Sequence, residues 1–339
     1  MRIAVDLMGG DRSPRELTDG ALGAVRQAGG RFETVLLGDS AAIDGALEKA
    51  RGAGLSVSAV EAPDVVEMHE SPAAAIRKKK NSAIAVGMRM QKAGEVSAFV
   101  SAGNTGAIMA YALTTLGRLR GVLRPAIAAL LPSETGFTLL LDVGANSDCK
   151  PTHLSQFALM GDIYMKSVLN LERPRVGLLS IGEERSKGNE LTLKAHELIR
   201  ASGVEFVGNI EGREIMMGGV DVVVCDGFVG NVILKFGESI IDIFARSIRE
   251  MAERDVRSRL GSLLLAPGFR GLRRRLDYEE YGGAPLLGVD GVVIICHGTS
   301  TAKAIRNAIG VAERFVAQGV NQRIKRELLK QSEERVQKC

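Results

Sequence analysis

The chain has 339 residues, with 44 Lys plus Arg against 40 Asp plus Glu, giving a formal charge of +4. Its 45% hydrophobic and 25% charged residues are ordinary for a globular protein, which excludes a disordered or fibrous chain. The small net charge, with ten Phe, four Tyr and no Trp, gives nucleic-acid binding no support.

The chain opens on a strand, Arg2–Asp6, with no secretion-signal pattern, and no apolar run reaches membrane-spanning length; a cytoplasmic protein is expected. A Gly-Gly-Asp turn follows, then Ser13-Pro14-Arg15-Glu16, a capping box with Pro at the first helical position. Further strands are predicted at 34–38, 56–60, 98–100, 127–131, 138–142, 176–180, 205–207, 220–225 and 292–296. Most are continuously apolar, as parallel strands buried on both faces require. Helical patterns lie between them, for example at 41–51, 105–119 and 190–201. This alternation predicts a doubly wound, largely parallel α/β sheet. Residues 1–320 read as one catalytic α/β domain, and 321–339 as a polar, solvated helix or tail.

One stretch departs from the pattern: a long helical segment from about 232 to 260 leads into an arm, about 235–280 in all. Between 254 and 276 it carries seven arginines and one Asp around an apolar centre, Leu263, Leu264, Leu265 and Phe269. With Arg270, Arg273, Arg274 and Arg275, these residues suit a membrane surface. The other readings are docking of an acidic carrier protein, or burial of a helical hairpin in a dimer; the membrane surface is the favoured one.

Glycine is abundant, 40 residues, and six Gly-containing polar segments follow apolar runs. They are 6–11 (DLMGGD), 101–106 (SAGNTG), 142–148 (DVGANSD), 180–190 (SIGEERSKGNE), 225–231 (CDGFVGN) and 296–301 (CHGTST). Each alone could be a tight turn with a helix cap. Six together predict one shared site for an anionic ligand beyond the strand ends. Its candidates are Asp6, Gly9, Gly10, Ser101, Gly103, Asn104, Thr105, Gly106, Asp142 and Asn146, then Gly188, Asn189, Asp226, Gly227, Gly230, Gly298 and Ser300. The aspartates either hold their loops through backbone N–H groups or orient a substrate. No P-loop, GxGxxG or GxSxG motif is present.

Lys187, just before a predicted helix start, is either a phosphate-binding or charge-stabilising group or an exposed loop lysine. Asn231 is either a helix cap or an oxyanion donor. His297 is either a general acid or oxyanion donor, or a histidine held by backbone groups. His69 and His196 read as structural residues in surface contexts, and His153 opens a helix near the site. The four cysteines, 149, 225, 296 and 339, have no metal-ligand spacing and read as reduced thiols; Cys225 and Cys296, with no base beside them, read as buried rather than nucleophilic. No metal or cofactor is expected.

MRIAVDLMGGD at the start, SAGNTGA at 101–107, LLLDVGAN at 139–146, KGNEL at 187–191, DGFVGN at 226–231 and YGGAPLLG at 281–288 come in register. Together they resemble the bacterial phosphate acyltransferases of phospholipid synthesis, over nearly the whole chain up to about residue 317. The resemblance implies the reaction of acyl-[acyl carrier protein] with inorganic phosphate to give acyl phosphate. It also implies a homodimer with a fold similar to isocitrate and isopropylmalate dehydrogenases and phosphate acetyltransferases. The product would pass to a membrane acyltransferase acting on glycerol 3-phosphate. Lys187 and Asn231 match the family's catalytic positions, and His297 with loop 103–106 is expected to complete their pocket. Val229 departs from a frequent Thr, and 68–75 is less acidic than the family pattern. A phosphate acetyl- or butyryltransferase using coenzyme A thioesters is the alternative.

Overall fold

The structure is a computed structural model describing residues 1–276 and 278–337; the side chains at 242, 256, 269, 270, 272–276, 278, 332 and 334–337 lie outside the described residues. Eleven strands form one sheet: β1 (Arg2–Asp6), β2 (Glu33–Gly38), β3 (Ser58–Glu61), β4 (Ala98–Ser101), β5 (Ala126–Ser133), β6 (Gly136–Leu141), β7 (Arg175–Leu179), β8 (Glu205–Ile210), β9 (Val222–Val224), β10 (Ala284–Leu287) and β11 (Val293–Ile295). The helices are α1 (Pro14–Ala28), α2 (Ser40–Gly52), α3 (Pro72–Lys78), α4 (Ala83–Lys92), α5 (Thr105–Tyr111), α6 (Pro151–Val168), α7 (Glu190–Arg200), α8 (Gly227–Glu253), α9 (Val256–Leu276), α10 (Ala302–Ala317) and α11 (Val320–Gln337).

The strand order is β3-β2-β1-β4-β11-β10-β5-β6-β9-β7-β8. Alternate residues of β1 enter opposite apolar layers: Ile3 and Val5 face the layer of α1, α6 and α10, and Ala4 faces that of α4 and α5. All three are fully buried, which is why the strand reads as a continuous apolar run. β10, which contains Pro285, is absent from the sequence prediction. It runs antiparallel to both β11 and β5, and β6 runs antiparallel to β5. The remaining pairings are parallel. Strand direction therefore reverses within the sheet: β1, β2, β3, β4 and β11 point one way, and β6, β7, β8 and β9 the other.

Two predicted segments need correction. The supposed solvated tail begins as a packed helix: Val320 and Ile324 are fully buried and Leu328 is 5% exposed. Spaced four apart, they form the stripe by which α11 packs on α6. The arm starts at α8, eight residues earlier than expected, and its turn lies at Arg254-Asp255, where Asp255 accepts from the Ser258 amide at 2.8 Å. Leu263, Leu264 and Leu265 are part of α9, exposed by 71%, 78% and 59%. No described residue from 231 to 268 is buried. The side chains of Phe269, Arg270, Arg273, Arg274 and Arg275 lie outside the described residues.

Candidate active site

The reversal of strand direction divides the six glycine-rich loops into two groups of three. Loops 6–11, 101–106 and 296–301 leave the C-terminal ends of β1, β4 and β11, neighbours in the sheet. Loops 142–148, 225–231 and 180–190 leave β6, β9 and β7, also neighbours, at the opposite edge of the hydrogen-bonded sheet. No hydrogen bond among the described residues joins the two groups. By strand direction the six loops sort into two pads of three.

In the first pad Ser101 Oγ donates to Asp6 Oδ2 at 2.6 Å and accepts from the Gly103 amide at 3.0 Å. Asp6 also accepts from the Met8 amide at 2.8 Å. A Cβ at Gly9 would lie 2.6 Å from the Gly103 nitrogen, so only glycine lets these loops meet. Gly10 abuts the Gly298 carbonyl, and that carbonyl accepts from the Asp11 amide at 2.7 Å. Asn104 caps α5 and donates to the carbonyls of Glu67, Met68 and Glu70, which gives the 68–75 stretch its anchor. Thr105 and Gly106 are exposed, and Ser300 is buried with its amide on the His297 carbonyl. His297 is exposed and its Nδ1 lies 2.8 Å from Thr299 Oγ1. Its strand β11 runs opposite to β7, whose loop bears Lys187.

The second pad is built on Asp142. Its Oδ1 accepts from the amides of Ile127, Gly144 and Ala145, and its Oδ2 from the amide and side chain of Asn146. Asn146 Nδ2 also donates to the Pro125 carbonyl at 2.7 Å. Asp226 caps α8 through the Val229 amide at 2.9 Å. These aspartates hold loops: their oxygens meet backbone donors, and a carboxylate offers an anion no hydrogen. Burial pushes the carboxyls of Asp6 and Asp142 above the usual range, against the hydrogen bonds that pull them down. A Cβ at Gly227 would lie 2.7 Å from Asp142 Oδ2, and one at Gly230 would run into the Asp142 carbonyl oxygen. The glycines of DGFVGN thus seat α8 directly on loop 142–148.

That seating fixes Asn231. It is the fifth residue of α8 and not its cap, and its side chain lies beside Gly144, where a Cβ would be 3.7 Å from Asn231 Cγ. Lys187 is exposed, and its ammonium has no partner among the described residues. It precedes Gly188 and Asn189, whose Oδ1 caps α7 through the Thr192 amide at 2.9 Å. The stem of Lys187 packs over Gly182, where a Cβ would lie 3.0 Å from its Cγ. β6 and β7 are two strands apart, so the loops bearing Lys187 and contacting Asn231 start about 10 Å from each other.

The thiols do not serve this pad. Cys149 is pushed up to about 12 by burial and by Asp142 and Asp226, Cys225 well upward by burial, and Cys296 to about 12 by burial. His153 caps α6 by accepting from the Lys150 amide at 3.1 Å, and burial lowers its pKa. His196, expected at the surface, is buried against Asn209. The sequence reading missed Asn209, whose amide donates to the carbonyls of Glu184 and Lys187. Its one visible signal is a Gly-Asn pair inside a strand.

Among known proteins, the family model described as "Fatty acid synthesis protein" matches residues 1–323. A phosphate acyltransferase of Pelotomaculum thermopropionicum is 52% identical over 93% of this chain and 92% of its own. One from Heliobacterium modesticaldum is 52% identical over 94% of this chain and 95% of its own. A solved phosphotransacetylase from Streptococcus pyogenes superposes with a TM-score of 0.62 at 16% identity, covering 94% of both chains. The phosphotransacetylase EutD of Staphylococcus aureus gives 0.58 at 14%, over 93% of this chain and 94% of its own. These two establish the likeness of fold, and the match of family model and relatives over almost the whole chain identifies its kind: the chain belongs to the fatty acid synthesis protein family of phosphate acyltransferases and is an acyltransferase.

Proposed function

We propose that the chain transfers a long-chain acyl group from acyl carrier protein to inorganic phosphate, giving acyl phosphate for glycerol 3-phosphate acylation in phospholipid synthesis. The observation that carries this reading is the exposed Lys187, whose ammonium has no partner among the described residues, on a loop two strands from the one that Asn231 contacts. A thioester is already activated, so no protein nucleophile is required. Phosphate oxygen attacks the carbonyl carbon, a tetrahedral oxyanion forms, the C–S bond breaks, and thiol and acyl phosphate leave. The protein must hold the two reactants about 3 Å apart and offset negative charge. Lys187 supplies the charge, the first-turn amides of α7 and α8 that the caps and loop carbonyls leave open supply N–H donors, and the Asn231 amide orients the carbonyl. Gly188, Asn189, Gly227 and Gly230 shape that surface.

The arm has two uses here. Leu263, Leu264 and Leu265, with the exposed Arg254, Arg257 and Arg259 nearby, support contact with an anionic membrane, where a lipid-bound product is consumed. The outward stripe Val229, Val232, Phe236, Ile240 and Ile243 on α8 supports a homodimer through this helix.

The test follows thiol release from long-chain acyl carrier protein with and without phosphate, hydroxylamine trapping the acyl product. Phosphate-dependent release is expected, and Lys187→Met should lower it by about a hundredfold or more. Phosphate-independent release, or full turnover in Lys187→Met, overturns the assignment. Release from acyl-coenzyme A alone selects the coenzyme A enzyme instead.

A further inference from the structure

We infer that Asn209, aimed by a β-bulge and backed by His196, is the positioning residue of Lys187; the inference rests on the reading that Lys187 serves the acyl transfer. Lys187 sits at the end of a turn whose carbonyls need donors. Asn209 Nδ2 donates to Glu184 O at 3.0 Å and to Lys187 O at 3.4 Å, and Ser180 Oγ donates to Lys187 O at 3.3 Å. The Lys187 amide closes the turn on Glu184 O at 2.9 Å. Both carbonyls of the turn are thus tied to one side chain from a neighbouring strand.

Donation by Nδ2 fixes the orientation of the Asn209 amide, so its Oδ1 faces His196. His196 Nδ1 lies 3.0 Å from that oxygen and must carry the hydrogen. His196 is 7% exposed and its ring meets Phe206 edge-on, centroids 5.0 Å apart. A histidine bound in this way locks the amide that holds the turn, much as an outer partner orients a metal-binding histidine.

The pairing of β7 with β8 explains how Asn209 arrives there. Val176 pairs with Phe206, but Gly177 pairs with Gly208, which leaves Val207 as an extra residue, 48% exposed. Gly208 has φ of +110°, a conformation that favours glycine. The bulge puts Asn209 opposite Leu178, on the α7 side of the sheet where Phe206 also packs. Without the extra residue Asn209 would pair with Leu179 and face the other layer, away from His196. The bulge therefore aims one buried polar side chain, 6% exposed, at the turn of the lysine.

The experiment measures single-turnover thiol release with acyl carrier protein thioester and phosphate. In folded Asn209→Ala, release is expected to fall about tenfold or more. Added to Lys187→Met, the same change should cost less than about twofold further, because the turn then positions nothing. His196→Gln, which still donates to Oδ1, should keep at least about half the activity, whereas His196→Leu should fall as Asn209→Ala does. Undiminished release in folded Asn209→Ala, or a full further loss in the Lys187→Met background, overturns the inference. If Asn209→Ala does not fold, the two His196 variants decide, and equal activity in them overturns it. Failure of the acyl-transfer reading looks different: wild-type protein would then release no thiol in response to phosphate.

Discussion

Most polar side chains in the glycine-rich loops are engaged by their own surroundings. Asp6, Ser101, Asn104, Asp142, Asn146, Asn189 and Asp226 all accept from or donate to nearby backbone or one another. The loop-holding role of strand-end aspartates was legible in the sequence, because an Asp closing an apolar run has amides as its nearest donors. Asn231 was less legible: one residue type serves caps and oxyanions alike, and only the capping bond of Asp226 separates them. Burial gives Asp6 a testable signature. Its carboxyl titrates above the ordinary range in the folded chain, so its contribution to stability is full at low pH and is lost as pH rises through the folded value. The melting-temperature advantage of wild type over Asp6→Asn should therefore narrow as pH rises above the ordinary carboxylate range, about pH 4. A constant or widening gap would contradict the upward shift.

At the scale of elements, helix starts and strand cores were predictable because caps and apolar runs are local. The start of α1 has its predicted Ser13 cap, accepting from the Glu16 amide. β10 and the packed half of α11 were not predictable: a four-residue strand containing Pro and a sparse four-residue apolar spacing in a polar helix gain their meaning from neighbours. The seating of α8 carries the sharpest expectation here. Gly230→Ala should destabilise the chain by about 3 kcal/mol, since its Cβ meets the Asp142 carbonyl. Gly237→Ala on the same helix meets nothing within 4 Å and should be neutral or stabilising by about 1 kcal/mol. Thermal melts of the pair check this, and equal effects would mean that the helix start is not docked as described.

For the molecule as a whole, no described helix is long and apolar enough to cross a membrane. Yet α8, about 40 Å long, and α9 project exposed apolar residues from a well-buried sheet. Flotation with anionic vesicles should show binding that Leu264→Glu abolishes while turnover on soluble thioester is retained. Binding unaffected by Leu264→Glu would remove α9 from the membrane reading. The sequence by itself determined the fold class and the glycine-rich loops, because periodicity, turn chemistry and motif order are properties of short segments. Only the tertiary structure decided that strand direction reverses, that the loops form two pads, and that a bulge aims Asn209 at the lysine's turn. Direction and register are set by hydrogen bonds between residues far apart in the chain, and no local pattern encodes them.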